Sequence, residues 1–160
     1  MSTGNVETPI EIYTDGSCLG NPGVGGYGFI IIYSIKNNGN NKQKKLIGHG
    51  GRADTTNNKM ELLAVIKALR TIQKKGFSGN PITLYSDSQY VIKGITEWIK
   101  GWKTRNFKDV KNTELWKELD SLTINKKIEW KWVKAHNGNL YNERVDKLAR
   151  SEAEKLKSQK

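Results

Sequence analysis

Two aspartates stand where a carboxylate could do chemistry. Asp15 lies in the run Tyr13-Thr14-Asp15-Gly16-Ser17-Cys18-Leu19-Gly20-Asn21-Pro22-Gly23, where an apolar strand is predicted to break into a Gly/Pro turn. Asp87 ends a second predicted strand in Ile82-Thr83-Leu84-Tyr85-Ser86-Asp87-Ser88. The carboxyl ends of strands form the rim at which α/β sheets carry their sites. The formal net charge is +11, so acids at these ends are out of keeping with their surroundings. Glu61, in the first turn of a predicted helix, and Asp146, near the start of another, are the further acids that helices packed on a sheet could aim at the same spot. Carboxylates that converge without basic partners repel one another and are driven toward protonation. A divalent cation relieves that repulsion, and an all-oxygen donor set selects Mg²⁺ or Mn²⁺. Each acid also has an ordinary reading. Asp before Gly or Ser serves as a turn residue, Glu61 can complete a capping box with Asn58, and Asp146 can offset a helix dipole.

The elements that must position these acids read as a mixed α/β domain. Strand one covers Ile10–Thr14, and strand two covers Tyr27–Tyr33, an almost continuous apolar run suited to a sheet centre. The Asn-Gly step in Asn37-Asn38-Gly39-Asn40-Asn41 favours a hairpin into a third strand near Lys45–His49. Leu62, Val65, Ile66, Leu69 and Ile72 recur at helical spacing over 58–75, with Asn58 as N-cap and Gly76 as the stop. Strand four covers Ile82–Ser86, and a helix follows from Ser88 to about Ile95. Leu115, Leu119 and Leu122 mark another helix, and Ile128, Trp130 and Trp132 alternate in a fifth strand. A last helix from Asn142 buries Val145, Leu148 and Ala149. This order makes a sheet with helices packed on it. Gly20, Gly23, Gly25, Gly26 and Gly28 lack both the GxGxxG order and the Walker lysine-serine ending, so they form no phosphate loop. A turn and a close strand approach account for them.

A chain of 160 residues with 36% hydrophobic content can bury the core of one domain. Its expected limits are a polar tail over 1–9, the domain over 10–153 and a lysine-rich tail over 154–160. The longest strong apolar run, Phe29–Tyr33, falls far short of the roughly 18 residues of a membrane span. A single cysteine, Cys18, forms no internal disulfide and fits a reducing compartment, so a cytoplasmic location is expected. The basic balance, with a pI near 9.7, suits a polyanionic partner. Between Trp98 and Lys111, Lys100, Lys103, Arg105 and Lys108 interleave with Trp102 and Phe107. Such a segment can follow phosphates while aromatic faces pack on sugars. It can equally be a helix that buries Trp98 and Trp102 beneath a solvated lysine face.

Several runs together resemble the ribonuclease HI (type 1 ribonuclease H) family. They are Asp15-Gly16-Ser17 with Asn21-Pro22-Gly23, Thr55-Thr56-Asn57-Asn58-Lys59-Met60-Glu61-Leu62, Ser86-Asp87-Ser88-Gln89-Tyr90-Val91, Trp132-Val133-Lys134-Ala135-His136 and Asn142-Glu143-Arg144-Val145-Asp146. The resemblance implies the RNase H fold, a five-stranded mixed sheet with strand two antiparallel and helices on both faces. It also implies an endonuclease that hydrolyses the RNA strand of RNA–DNA hybrids to 5′-phosphate and 3′-hydroxyl ends, with two Mg²⁺ ions per site and Mn²⁺ able to substitute. On that basis Asp15 bridges both ions, Asp146 helps to hold the water-activating ion, and Glu61 and Asp87 hold the leaving-group ion. His136 assists proton transfer or product release. Asn21, Asn57 and Gln89 read the minor groove, Thr56 and Asn58 meet the DNA strand, and Trp98, Trp102, Lys103 and Arg105 belong to a basic protrusion shorter than that of familiar bacterial members. A monomer without membrane attachment is expected. Two other readings are a nuclease or transferase of the same superfold, integrase-like or resolvase-like, and a non-catalytic hybrid-binding module. The first shares the strand-end acids but not the Thr55–Leu62 and Ser86–Val91 runs. The second leaves an intact set of carboxylates beside phosphates without purpose.

Overall fold

The computed structural model describes residues 6, 7, 9–37, 39–135 and 138–159. One sheet runs in the order β3-β2-β1-β4-β5, from β1 (Ile10–Leu19), β2 (Gly23–Asn37), β3 (Asn40–Thr55), β4 (Ile82–Ser86) and β5 (Ile128–Trp132). β1, β4 and β5 pair in parallel, and β2 is antiparallel to both of its neighbours. The helices are α1 (Asn57–Lys74), α2 (Gln89–Lys93), α3 (Ile99–Thr104), α4 (Thr113–Thr123) and α5 (Leu140–Ser158). A π turn over Gly94–Trp98 joins α2 to α3.

β2 reads as unbroken apolar sequence because both of its faces are covered. Phe29 and Ile31 join Ile12 and Leu84 under Leu62, Ile66 and Leu69 of α1 and Trp116 and Leu119 of α4. Ile30 and Ile32 point the other way, packing with Tyr13 and with Val145 of α5. Helices therefore lie on both sides of the sheet, as the resemblance implies.

Several boundaries differ from the sequence expectation. β1 does not turn at Asp15. Its parallel pairing with β4 ends at Thr14↔Ser86, but its antiparallel pairing with β2 continues to Leu19↔Val24. Asp15 thus sits at a fork, still held by β2 just beyond its last contact with β4. β3 is longer than predicted at both ends, its glycine-rich half pairing with β2 through Tyr27↔Gly50 and Gly26↔Gly51. Thr56, not Asn58, caps α1, accepting from the Lys59 amide at 3.2 Å. A capping box needs its acid three residues after the cap, so Glu61 lies out of register for that task. Gly76 stops α1 as expected. At φ 79° it donates to the Gln73 carbonyl, and Phe77 donates to Ile72, a Schellman pair of bonds.

The helix expected to stop near Ile95 continues through the π turn into α3. Gly94 permits this, since a Cβ there would lie 2.1 Å from the Trp116 ring. α5 begins at Leu140, not Asn142, because Asn139 accepts from the Tyr141 and Asn142 amides at 2.9 and 3.1 Å. It runs to Ser158, so most of the lysine-rich segment 154–160 forms its last turns rather than a tail. At the other end, Val6 is buried and bridges Ile35, and the Glu7 amide donates to Ser34 at 2.7 Å. These two residues of the expected polar tail are attached to the sheet.

Candidate active site

The sheet brings the two strand-end aspartates together in the way their sequence positions imply. β1 and β4 are neighbours in parallel register, and each acid directly follows the last pair between them, Thr14↔Ser86. Asp15, Glu61 and Asp87 each offer a carboxylate oxygen, and the three oxygens all lie within 4.8 Å of one another. Asp15 is 4% exposed and Glu61 6%. Asp87 is held through its backbone: Trp132 Nε1 donates to its carbonyl at 3.1 Å, and the next amide, of Ser88, donates to Ser86 Oγ at 3.1 Å.

Two close approaches set the remaining acids. At Gly16 a Cβ would lie 2.4 Å from the Glu61 nitrogen and 2.4 Å from the Met60 carbonyl carbon, so α1 packs directly on the β1 backbone. At Gly26 a Cβ would lie 2.1 Å from the Ala149 carbonyl oxygen, and at Gly28 2.7 Å from Leu148 Cβ. Gly26 and Gly28 therefore serve helix-on-strand contact, whereas Gly25, where a Cβ would lie 2.5 Å from Thr55 Cγ2 and 2.9 Å from the Ser17 carbonyl oxygen, serves the close strand approach expected from the sequence. α5, seated there, carries Asp146 into a pocket that Asp15, Asp87, Asn142 and Glu143 also line. Asp146 stands outside the tight group of three, and its Oδ2 accepts from Arg150 Nε at 3.0 Å.

The electrostatics follow from burial without counter-charge. Burial pushes the Asp15 carboxyl up to about 9, with the Asp87 and Asp146 charges adding to the shift. Glu61 is also raised well above the usual carboxylate range, by burial first and then by Asp15 and Asp87. Glu61 Oε1 and Asp87 Oδ1 are buried without a hydrogen-bond partner among the described residues. Buried polar atoms are nearly always satisfied. Two orphaned carboxylate oxygens facing a third acid form a donor set for a hard divalent cation, which would remove both the repulsion and the unmet acceptors.

The other residues singled out in the sequence fall into three groups. Asn21, Thr56, Asn57 and Asn58 line one shallow polar cleft with Lys111 and Asn112, and Asn21 Oδ1 accepts from the Asn57 amide at 2.9 Å. Asn112 escaped sequence reasoning. Its signal was the helix start after it, and its amide donates to Tyr90 Oη at 3.0 Å. Gln89 is exposed on the first turn of α2, next to the Ser88 cap. Trp98 and Trp102 meet at a tilt with 6.0 Å between ring centres, and Trp102 meets buried Trp116 edge-on at 5.0 Å, while Trp98 keeps 41% of its surface exposed. The segment thus matches the reading of a packed aromatic face beneath a solvated basic one, except that Trp98 is not buried. Lys103 pairs with Asp120 at 3.3 Å, and Arg105 Nε donates to the Lys108 carbonyl at 3.1 Å. Neither lines the polar cleft. His136 lies outside the described residues.

A family model described as RNase H matches residues 7–154. A ribonuclease H of Wolbachia sp. subsp. Drosophila simulans (strain wRi) is 53% identical over 146 residues, covering 88% of this chain and 92% of that protein. One from Xanthomonas oryzae pv. oryzae (strain MAFF 311018) is 50% identical over 149 residues, covering 90% and 91%. Among solved structures, LC9-RNase H1, described as a type 1 RNase H with the type 2 active-site motif, superposes with a TM-score of 0.80 at 31% identity. The match covers 94% of this chain and 75% of LC9-RNase H1. LC11-RNase H1, solved in complex with an RNA/DNA hybrid, matches with a TM-score of 0.67 at 23% identity, over 92% of this chain and 98% of its own, and shares the fold.

Proposed function

This chain belongs to the ribonuclease H family, and on that premise we propose that it is an endonuclease hydrolysing the RNA strand of RNA–DNA hybrids to 5′-phosphate and 3′-hydroxyl ends. The observation that carries the reading is the group of three carboxylates within 4.8 Å, two of whose oxygens lack a hydrogen-bond partner among the described residues. Asp15, Glu61, Asp87 and Asp146 would hold two Mg²⁺ ions, with Mn²⁺ able to substitute, and Asp15 would be shared between them. Bound there, such cations supply an activated water and offset charge on the phosphate and on the leaving oxygen. The protein's own contribution is to fix the donors. Burial and the close packing at Gly16 hold Asp15 and Glu61 before substrate arrives, so little reorganisation accompanies the reaction.

Substrate choice rests on the polar cleft of Asn21, Thr56, Asn57 and Asn58 and on Gln89. Amides of this kind can bond both as donors and as acceptors, and the RNA 2′-hydroxyl is the group that tells the two strands apart. Trp98, Trp102, Lys103 and Arg105 extend the contact along the backbone, with the two cations leaving their internal partners to meet phosphates. That a protein of this fold, LC11-RNase H1, has been solved with an RNA/DNA hybrid supports the choice of substrate. His136 assists proton transfer or product release, so His136→Ala should slow steady-state turnover on saturating hybrid without stopping it. An unchanged rate would make it a bystander. The carboxylates all come from one chain, which supports a monomer as the active form. Lone Cys18 supports a reducing, cytoplasmic setting, and no described helix is long and apolar enough to cross a membrane.

The test compares one labelled sequence as RNA–DNA hybrid, duplex DNA and single-stranded RNA. Cleavage of the hybrid alone is expected. Equal cleavage of duplex DNA would instead place the chain with integrase-like or resolvase-like enzymes, and tight hybrid binding without any cleavage would make it a binding module.

A further inference from the structure

The four acids are not equivalent in the fold. Among the described residues, Asp146 is the one of the set with a cationic partner, Arg150 one helical turn along α5. An exposed i,i+4 pair is ordinarily worth a few tenths of a kcal/mol and carries no message. Here the acid also lines the pocket that Asp15 and Asp87 line. Asp146 therefore spans two environments, with the buried cluster on one side and, on the other, a guanidinium that keeps 53% of its side chain exposed. Among the described residues Asp15, Glu61 and Asp87 have no such occupant, and the unmet oxygens there belong to Glu61 and Asp87.

We propose that Arg150 is a resident counter-cation for Asp146, a positioning residue that opposes occupation of the Asp15–Asp146 half of the site until its guanidinium is drawn away. The inference rests on the reading of the four acids as a cation site. Two consequences follow from charge alone. The half built from Asp15, Glu61 and Asp87 takes a cation without breaking an ion pair. The half that uses Asp146 must first break the bond to Arg150, so cations enter the two halves with unequal affinity in substrate-free protein. A phosphate group near Arg150 offers the guanidinium a replacement anion with matching bidentate geometry, and it would free Asp146 as substrate docks. Asp146 thus becomes available when there is something to cut. The half-exposed side chain of Arg150 allows the exchange.

The experiment is a calorimetric titration of the substrate-free, full-length chain with Mn²⁺, comparing the parent with Arg150→Gln and Arg150→Lys. Arg150→Gln is expected to leave the tighter event unchanged and to strengthen the weaker one about three- to tenfold, or to bring a second event into range where the parent shows one. Arg150→Lys should stay within about twofold of the parent, because the positive charge remains. Far-ultraviolet circular dichroism checks that α5 is intact in both variants. Unchanged stoichiometry and affinities, or weaker binding in Arg150→Gln, would overturn the proposal. A parent that binds no cation at all would overturn the underlying reading of the acids instead.

Discussion

Asp15→Asn is expected to reduce hybrid hydrolysis by roughly a thousandfold or more while making the cation-free protein more stable. The two effects share one cause. Asp15 is 4% exposed, and its carboxyl is pushed up to about 9 by burial and by the neighbouring Asp87 and Asp146 charges. In the unfolded chain the same group has its ordinary value of 3.8. Between those values the folded state binds the extra proton, so stability falls as pH rises through the window. Asparagine keeps the shape and has no charge to desolvate. The variant should therefore gain on the order of 1–3 kcal/mol over the cation-free parent near pH 8, and little below pH 4. Chemical unfolding in chelator at both pH values measures this. Added Mg²⁺ should stabilise the parent and narrow the difference, because the cation takes the place of the proton. A variant that is less stable than the parent in chelator at pH 8 would contradict the electrostatic description of the site.

Gly16→Ala carries the second large effect, through geometry alone. The added Cβ would lie 2.4 Å from backbone atoms of Met60 and Glu61, and a helix backbone cannot yield as a flexible side chain can. Relief requires α1 to move away from β1, which loosens a core shared by Leu62, Ile66 and Leu69 and draws Glu61 from Asp15. A stability loss of about 1–3 kcal/mol is expected from the overpacking. Activity should fall by about a hundredfold, as for a misplacement of roughly 1 Å in a site that depends on alignment. The cation affinity of the substrate-free protein should weaken in parallel. Alanine at an open position such as Gly79, where nothing lies within 4 Å of the added carbon, is the control and should leave all three measurements near the parent's. Full activity in Gly16→Ala would show that the close packing of α1 on β1 does not set the site.

The course of the chain explains which features could be read in advance. Asp15 and Asp87 were legible because parallel pairing of two strands that stops in register places the next residues side by side, and both runs carry strong strand patterns. The limits of β4 and β5 agreed with their apolar alternation. β1 and β3 outran their patterns because pairing with β2 carries glycine-rich sequence that has no strand preference of its own. The cap of α1 fell on Thr56 because Thr56, Asn57 and Asn58 are all plausible caps, and backbone direction decides among them. Gly16 was hidden for a different reason. In sequence it is a turn residue after an aspartate, and only the arrival of a helix from more than forty residues away shows what its missing side chain allows. The internal partners of Lys103 and Arg105, and the bond from Arg150 to Asp146, are likewise invisible until the helices are placed.

The division between a basic surface and a buried acidic centre is the functional core of the molecule. Lysines and arginines outnumber acids by 27 to 16, which favours association with a polyanion, yet the group at the fork of β1 and β4 repels one unless cations intervene. Cleavage should therefore depend on a divalent ion more strongly than binding does. The most direct measurement follows an RNA–DNA hybrid labelled separately on each strand, incubated with the protein in chelator and then after addition of Mg²⁺. The expected result is an intact hybrid in chelator, followed on addition by cutting of the RNA strand alone, with 5′-phosphate ends. RNA cleavage that proceeds equally in chelator, or cutting of the DNA strand, would contradict the assignment of Asp15, Glu61, Asp87 and Asp146 as a cation-dependent ribonuclease site.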